Sequence, residues 1–337
     1  MTGSPTRSWA RVLVALLGAA TMALGLFGTG LNVVIRYSVV QEAGYRFVAT
    51  AALGELVGLG VALITTLGAG LVWFAPRPWR TAAALAVLPW VVLVGISWPT
   101  LSGLVSPERA EGGSEFTVLV QNLWYDNASP SDGVEALLDR DADVLVVVEF
   151  TPEHAAAFAR GGVTDHYPYR WEQPAPRGPG LAIFSTLPFS EPELLPMTLT
   201  GVRTVLDVQG HDVTLFAAHP VSPSDLYSLP MWQRDLRELA SAVGEAGPAT
   251  VVAGDLNSDR GHRRFRELLR AGDLRDAQDV GGGGFVPTWP VEGPMPAVLR
   301  LDHILVGPDI GVADVSVLGP LGSDHRGVEA RLRVPRS

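Results

Sequence analysis

The sequence predicts a layered α/β domain, with helices outside its sheets, carried behind three membrane-spanning helices. Three observations predict it. The first 107 residues contain three long stretches with no charged side chain. Beyond them, apolar runs of strand length alternate with segments of helical spacing, and several of those runs end in a polar residue. A chain of 337 residues has room for two domains.

The uncharged stretches run from Val12 to Ile35, from Leu56 to Pro76 and from Thr81 to Pro107. A helix of about 20 apolar residues crosses the hydrocarbon core of a bilayer, so each is long enough. Arg7 and Arg11 ahead of the first stretch would also suit a secretory signal. The length of that stretch, its lack of a clear A-x-A site and the two stretches behind it favour three spans, over both a cleaved signal and buried helices of a soluble domain. Arginines collect on cytoplasmic flanks. An inside N-terminus puts Arg7, Arg11, Arg77 and Arg80 inside and Arg36, Arg46 and Arg109 outside. That small preference sets everything after residue 107 on the outer face of the plasma membrane. Glu55, near the start of the second span, has no evident intramembrane partner and reads as interfacial rather than as a proton relay. The expected division is a membrane domain over 1–107 and a second domain over 108–337.

Composition removes several chemistries. The chain has no cysteine, which excludes disulfides, zinc–thiolate sites and thiol catalysis. All 25 basic residues are arginine, so no lysine is there to form a Schiff base. Residues 108–337 hold 19 of the 25 basic and 33 of the 35 acidic residues, a net charge of about −14. A nucleic-acid binder shows a basic footprint. Nucleic acid is therefore a partner that charge does not favour.

The second domain opens with "SPERAEGGSE" (106–115), a polar tether. Strand-length runs rich in Val, Ile and Phe follow: "FTVLVQNL", "DVLVVVEF", "GLAIFST", "DVTLFAAHP", "ATVVAGDLN" and "LDHILVG". Helical pieces separate several of them. "SDGVEALLDRD" offers Ser131 or Asp132 as an N-cap, with Val134, Leu137 and Leu138 on one face. "WQRDLRELASAV" and "HRRFRELLRAG" have helical spacing, the second closed by Gly272. "GGGG" (281–284) and the Pro-rich "TWPVEGPMP" behind it read as a surface loop rather than a lid. There is no internal repeat. Buried strands flanked by helices suggest a layered α/β architecture.

The polar residues at the strand ends carry the chemistry. Asn122, Glu149, His219 and the pair Asp255 and Asn257 each close an apolar run; Asp302 starts one, and Asp324 and His325 precede another. Any one of these is ordinarily a turn former or a solvated rim residue. All of them together are how a site is held on stiff elements. Glu149 with Asp255 or Asp324 offers hard oxygen ligands for Mg2+, with Mn2+ or Ca2+ as alternatives. The lack of Cys, and of two His at i, i+4, argues against zinc. Asn122 and Asn257 are fixed donors to an anion or an attacking water. His219 and His325 suit phosphate oxygens or acid–base work. Metal, amides and histidines around one pocket describe hydrolysis of a phosphate ester. A serine acyl hydrolase fits worse, because there is no G-x-S-x-G elbow.

The ordered series "QNLW", "VVVEF", "AAHP", "GDLNS", "RLDHILV", "GSDHRGV" resembles the endonuclease/exonuclease/phosphatase superfamily. That is the DNase I-like group of pancreatic deoxyribonuclease, abasic-site endonucleases, neutral sphingomyelinases and inositol-phosphate 5-phosphatases. The resemblance spans roughly residues 115–334 and implies a four-layer α/β sandwich of two packed mixed sheets with outer helices. It implies that Glu149 binds metal, with Asn122 as the family's early Asn. By the same resemblance, His219 contacts the scissile phosphate or protonates the leaving oxygen. Asp255 orients or deprotonates the attacking water, and Asn257 holds phosphate. Asp302 orients His325, and Asp324 is a second candidate metal contact. The tyrosine-and-basic apparatus by which the abasic-site branch grips DNA is not found. "PTWP" (287–290) matches a loop of membrane-tethered bacterial members. The expected function is a membrane-anchored, divalent-metal-dependent hydrolase of phosphate esters, with a phosphodiesterase preferred. A nuclease acting on extracellular DNA and a catalytically silent receptor for a phosphorylated ligand are the alternatives. Nothing outside the core set identifies the substrate or a protein partner.

Overall fold

The computed structural model describes residues 5–73, 81–108, 112–294 and 296–335. Arg77, Arg80 and Arg109, which enter the orientation argument, lie outside the described residues, as do Glu111 of the tether and Met295 of the Pro-rich loop. The chain divides into two compact units, Met1–Trp98 and Pro99–Ser337.

Three helices, Trp9–Tyr37, Gly54–Val72 and Ala82–Val105, are long and apolar enough to cross a membrane. Within the first unit, the helices Pro5–Tyr37 and Gly54–Val72 meet backbone to backbone. A Cβ on Gly68 would lie 2.5 Å from the Met22 nitrogen and 2.7 Å from the Gly18 carbonyl oxygen. Gly18 and Gly68 allow this approach of the two helix backbones. Glu55 is not partnerless: Arg36 donates to it at 2.7 Å. Asn32 also donates to the Gly54 carbonyl at 3.0 Å. Both links lie nineteen or more positions apart in sequence, which is why composition alone left Glu55 unpaired.

The second unit is built on two six-stranded sheets. In chain order the strands are β1 (Ser114–Asn122), β2 (Val144–Val148), β3 (Tyr169–Gln173), β4 (Leu181–Ser185), β5 (Glu193–Leu194) and β6 (Thr200–Val208), followed by β7 (His211–His219), β8 (Thr250–Asp255), β9 (Arg275–Asp276), β10 (Asp302–Val306), β11 (Gly311–Pro320) and β12 (Arg326–Val334). One sheet runs β11-β12-β1-β2-β4-β3 and the other β5-β6-β7-β8-β10-β9. Both are mixed, with β1–β2 and β7–β8 parallel. Alternation along each strand makes the layers. Val118, Val120, Val144 and Val146 face the other sheet's Leu215, Ala217, Val251, Ala253 and Ile304 in one continuous core. Leu119, Leu145 and Val147 point outward to Leu137, Phe158 and Tyr167, which come from the helices Val134–Leu138 and Pro152–Arg160 and from the segment after Val163–His166. Phe216, Val252 and Leu305 point outward to Leu239 and Phe265, on the helices Ser228–Gly244 and Arg263–Ala271. Helix, sheet, sheet, helix is the four-layer sandwich.

The helix at 134–138 starts differently from the sequence reading. It enters through Gly133 at φ 82°, with no side-chain cap from Ser131 or Asp132. The Leu321 carbonyl oxygen lies 2.0 Å from where a Cβ on Gly133 would sit. Only glycine accepts both the left-handed turn and that approach.

Phase along the strands also places the site. Asn122 continues the inward positions Val118 and Val120, His219 continues Leu215 and Ala217, and Asp255 continues Val251 and Ala253; Asp302 precedes Ile304 and Val306. At one end, the layer between the sheets therefore changes from aliphatic to polar. Gly254 lets β7 and β8 close there. Its φ is 152°, and a Cβ would fall 2.0 Å from the Ala218 carbonyl oxygen, immediately before His219. Gly254→Ala is expected to lower stability by about 2 kcal/mol or more. Thermal unfolding of the full chain in detergent measures it, and an unchanged midpoint would show that the strands separate without cost.

Candidate active site

Strand register brings the polar ends together. Asn122 lies beside Val148, so Glu149 is the next residue on the neighbouring strand. Ala217 pairs with Ala253, which puts His219 and Asp255 level two residues on. Asp302 faces Asp255 across β8 and β10. Val120 pairs with Val328, so the start of β12, just after His325, returns beside the end of β1.

Asp255 sits at the centre, 1% exposed. Its Oδ2 accepts from Asn122 Nδ2 at 3.0 Å, and its Oδ1 accepts from the Asn257 backbone N–H at 2.9 Å. Two imidazoles flank it. Nε2 of His219 and Nε2 of His325 each lie 3.8 Å from Asp255 Oδ2. That is beyond hydrogen-bond length, so both nitrogens keep their bonding capacity for a ligand. The other ring nitrogen fixes each tautomer. His219 Nδ1 donates to the Gly178 carbonyl at 3.0 Å, and His325 Nδ1 to Asp302 Oδ2 at 2.8 Å. Burial works against the charged His325 ring, but the Asp302 and Asp255 carboxylates outweigh it and lift its pKa to about 10. His325 is therefore an imidazolium at neutral pH, donating from Nε2 into the site. Burial, reinforced by Asp302, lifts Asp255 above the usual carboxylate range against the pull of the two histidines. It is a stronger base than an exposed carboxylate.

Glu149 breaks the strand alternation. Its position would face outward with Val147, but a φ of 57° turns it into the site. Its Oε1 accepts from Asn122 at 3.1 Å and its Oε2 from the Tyr125 N–H at 2.8 Å, while His219 Nε2 stands 3.9 Å away. A left-handed non-glycine residue at such a place is strain held by its surroundings. Asn257, at φ 45°, is a second case.

Both asparagines are engaged within the protein. Asn122 gives its amide hydrogens to Glu149 and Asp255, and its Oδ1 accepts from the Trp124 N–H at 2.8 Å. It clips two carboxylates together. Asn257 Nδ2 donates to the Pro220 carbonyl at 3.0 Å, and its own carbonyl accepts from Trp232 Nε1 at 3.1 Å. Asp324 lies at the rim, its Oδ1 4.0 Å from His325 Nε2 and its Oδ2 accepting from Trp289 Nε1 at 3.0 Å. Burial lifts its pKa, and the Glu149 charge adds to that, against His325 and the indole bond.

Among the described residues, Asp255, Asp302 and His325 bring three candidate ligand atoms within 4.8 Å of one another. Within that trio His325 Nδ1 is hydrogen-bonded to Asp302 Oδ2, which leaves Nε2 as the ring nitrogen facing a ligand.

Several contributors were not read from the sequence. Gly178 sets the His219 tautomer. Thr288 Oγ1 accepts from the Asp302 N–H at 3.2 Å. Beneath the site, His303 bonds Asp276 at 2.7 Å and the Ser258 carbonyl at 2.8 Å, and Arg300 spans Asp276 at 3.0 Å and Asp279 at 2.9 Å. Although burial opposes it, Arg300 and His303 hold Asp276 well below the usual carboxylate range. "LRLDHI" does carry Arg300 and His303 of this network, but their partners come from β9, the helix Ala277–Val280 and the turn after β8.

The Asp302–His325 pair makes a double-mutant test. Asp302→Ala and His325→Ala are each expected to lose roughly 10²–10⁴-fold in kcat, and the double variant little more, because a unit is lost once. Rates for hydrolysis of a phosphate ester by the three variants decide it. Losses that multiply would mean the two residues act separately.

Residues 119–325 match the sequence model of the Endonuclease/Exonuclease/phosphatase family. No curated protein sequence matches the chain. Among solved structures, D. rerio TDP2 complexed with a single-strand DNA product superposes with a TM-score of 0.54 at 18% identity, covering 65% of this chain and 99% of that one. An endonuclease/exonuclease/phosphatase family protein of Bacteroides thetaiotaomicron gives a TM-score of 0.51 at 16% identity, covering 67% of this chain and 100% of that one. The corresponding protein of Beutenbergia cavernae gives 0.52 at 18% identity, covering 66% of this chain and 72% of that one. The match over most of the second unit, and a fold shared with these structures, identify the chain as a member of the endonuclease/exonuclease/phosphatase family, whose members are hydrolases of phosphate esters.

Proposed function

We propose that this chain is a membrane-anchored, Mg2+-dependent phosphodiesterase whose catalytic unit stands on the outer face of the plasma membrane. The observation that carries the chemistry is the pair of imidazole nitrogens, one from each sheet, each 3.8 Å from the same Asp255 oxygen. A phosphoryl group between them meets a base and two nitrogen groups at once. Asp255 takes a proton from water as its oxygen bonds to phosphorus. His325, already charged, donates from Nε2 to a non-bridging oxygen where negative charge grows. Nε2 of His219, facing the site from beside Asp255, is the group placed to pass a proton to the leaving oxygen as its bond to phosphorus breaks. Asp302 keeps His325 charged and oriented, and Asn122 and Asn257 hold Asp255 in line.

Glu149 and Asp324 would hold the cation. Their side chains are 14% and 21% exposed, open enough for a hydrated ion. Mg2+ favours such a site, with one or two carboxylates and retained waters; Mn2+ or Ca2+ suit the same oxygens. When bound, the ion supplies Lewis-acid stabilisation of the phosphoryl oxygens. Glu149→Gln is expected to raise the Mg2+ midpoint for hydrolysis of bis-p-nitrophenyl phosphate at least about 10-fold, and EDTA to abolish turnover. Turnover indifferent to EDTA would sink the metal reading, and no turnover under any metal would favour a silent receptor.

A diester with one negative charge suits a unit near −14 better than a polyanion does. The dense arginine group at 263–266 is engaged locally. Arg263 and Arg264 bond Glu267 at 2.8 and 2.6 Å, and Arg266 holds the Arg260 and Gly261 carbonyls at 2.7 and 2.8 Å. DNA binding by the metal-free full chain is expected to be weaker than micromolar, with a shallow slope between about 50 and 200 mM salt. Submicromolar affinity with a steep slope, lost on replacing Arg263, Arg264 and Arg266, would make it a tethered nuclease instead.

The outward orientation rests on the arginine count along the first 109 residues. A reporter active only outside the cytoplasm, fused at residue 110, is expected to be active. A silent fusion beside an active cytoplasmic reporter would reverse the orientation.

A further inference from the structure

The segment 287–291 offered no chemistry as a sequence, yet it touches three site residues. Thr288, fully buried, accepts at Oγ1 from the backbone N–H groups of Leu301 and Asp302 at 3.0 and 3.2 Å. Its carbonyl accepts from Arg326 N, and Val291 N donates to the Asp324 carbonyl, both at 2.9 Å. Those two bonds bracket His325. Trp289 is braced against Leu299 by backbone bonds in both directions. From that base its indole Nε1 donates to Asp324 Oδ2 at 3.0 Å, and its ring lies 6.2 Å from the His325 ring. Asp324 is thus held by one segment through both its backbone and its side chain.

An Asp carboxylate at the rim could turn either oxygen, or both, toward a cation. The indole N–H removes that freedom. With Oδ2 engaged, Oδ1 is the oxygen on the His325 side. We propose that Trp289 is a positioning residue that fixes Asp324 through its indole N–H, so that a single oxygen faces the cation and metal affinity is set by this segment. This rests on the assignment of Asp324 to the metal made above. Partners that orient a metal-binding carboxylate typically change metal affinity by about 10–100-fold when removed. A tryptophan that merely fills space would, on replacement by Phe, change stability and leave that affinity alone.

The test is Mn2+ binding to the full chain in detergent, without substrate, by isothermal titration calorimetry. Trp289→Phe keeps a ring and loses the donor; it is expected to weaken Mn2+ about 10-fold. Trp289→His retains a ring N–H and is expected to bind Mn2+ more tightly than Trp289→Phe. In an Asp324→Asn background, Trp289→Phe should change nothing further, because the residue it acts through is gone. Wild-type affinity in Trp289→Phe, or an equal loss in both backgrounds, would overturn the proposal. If Trp289→Phe does not fold, the His variant carries the same comparison: a loss persisting undiminished in the Asp324→Asn background overturns it. Affinity lowered by Glu149→Gln and Asp324→Asn but not by Trp289→Phe sinks this inference alone. Affinity untouched by Glu149→Gln and Asp324→Asn sinks the metal assignment, and the inference with it.

Discussion

A carboxyl group buried between two packed sheets is the constraint on which the site depends. Asp255 occupies a position that the strand pattern reserves for valine or alanine, and burial alone would drive it to the neutral acid. It stays useful because every direction around it is answered. Asn122 donates from one strand, the Asn257 N–H from the turn, and two imidazoles stand just beyond bonding distance. Remove those and the polar end of the core becomes an uncompensated charge. The burial that threatens Asp255 also makes it a better base.

A second set of buried charges supports the first. Asp276, Asp279, Arg300, Arg260 and His303 neutralise one another beneath the turn that follows Asp255. Through the Ser258 carbonyl, His303 steadies the residue after Asn257. Buried ion clusters are weak evidence for stability, and their value here is geometric. They brace the turn that follows Asp255 through the Ser258 carbonyl, next to the left-handed Asn257.

Charge is distributed unevenly between those buried sets and the surface. The arginines of the second unit are largely engaged by acids or carbonyls of their own neighbourhood, as Arg140 is by Glu329 and Arg333 by Glu115. Two imidazole nitrogens, those of His219 and His325, face the Asp255 carboxylate in the site.

Much of this was legible in the sequence. Uncharged stretches of about 20 residues or more, alternating strands and the residue types at their ends depend only on local pattern, because side-chain phase is set by backbone geometry. The parity of Asn122, His219, Asp255 and Asp302 with the valines and alanines before or after them is a one-dimensional fact. Glu149 is the exception, since only its left-handed backbone turns it inward. What the tertiary structure decided was partnership. That Asn122 ties Glu149 to Asp255, that Gly178 and Asp302 choose the histidine tautomers, that Arg36 answers Glu55, and that Thr288 and Trp289 reach Asp302 and Asp324, all depend on residues 14 to 133 positions apart. Hydrogen bonds require a few tenths of an ångström in distance and direction, and sequence spacing specifies neither once the chain has left its own strand.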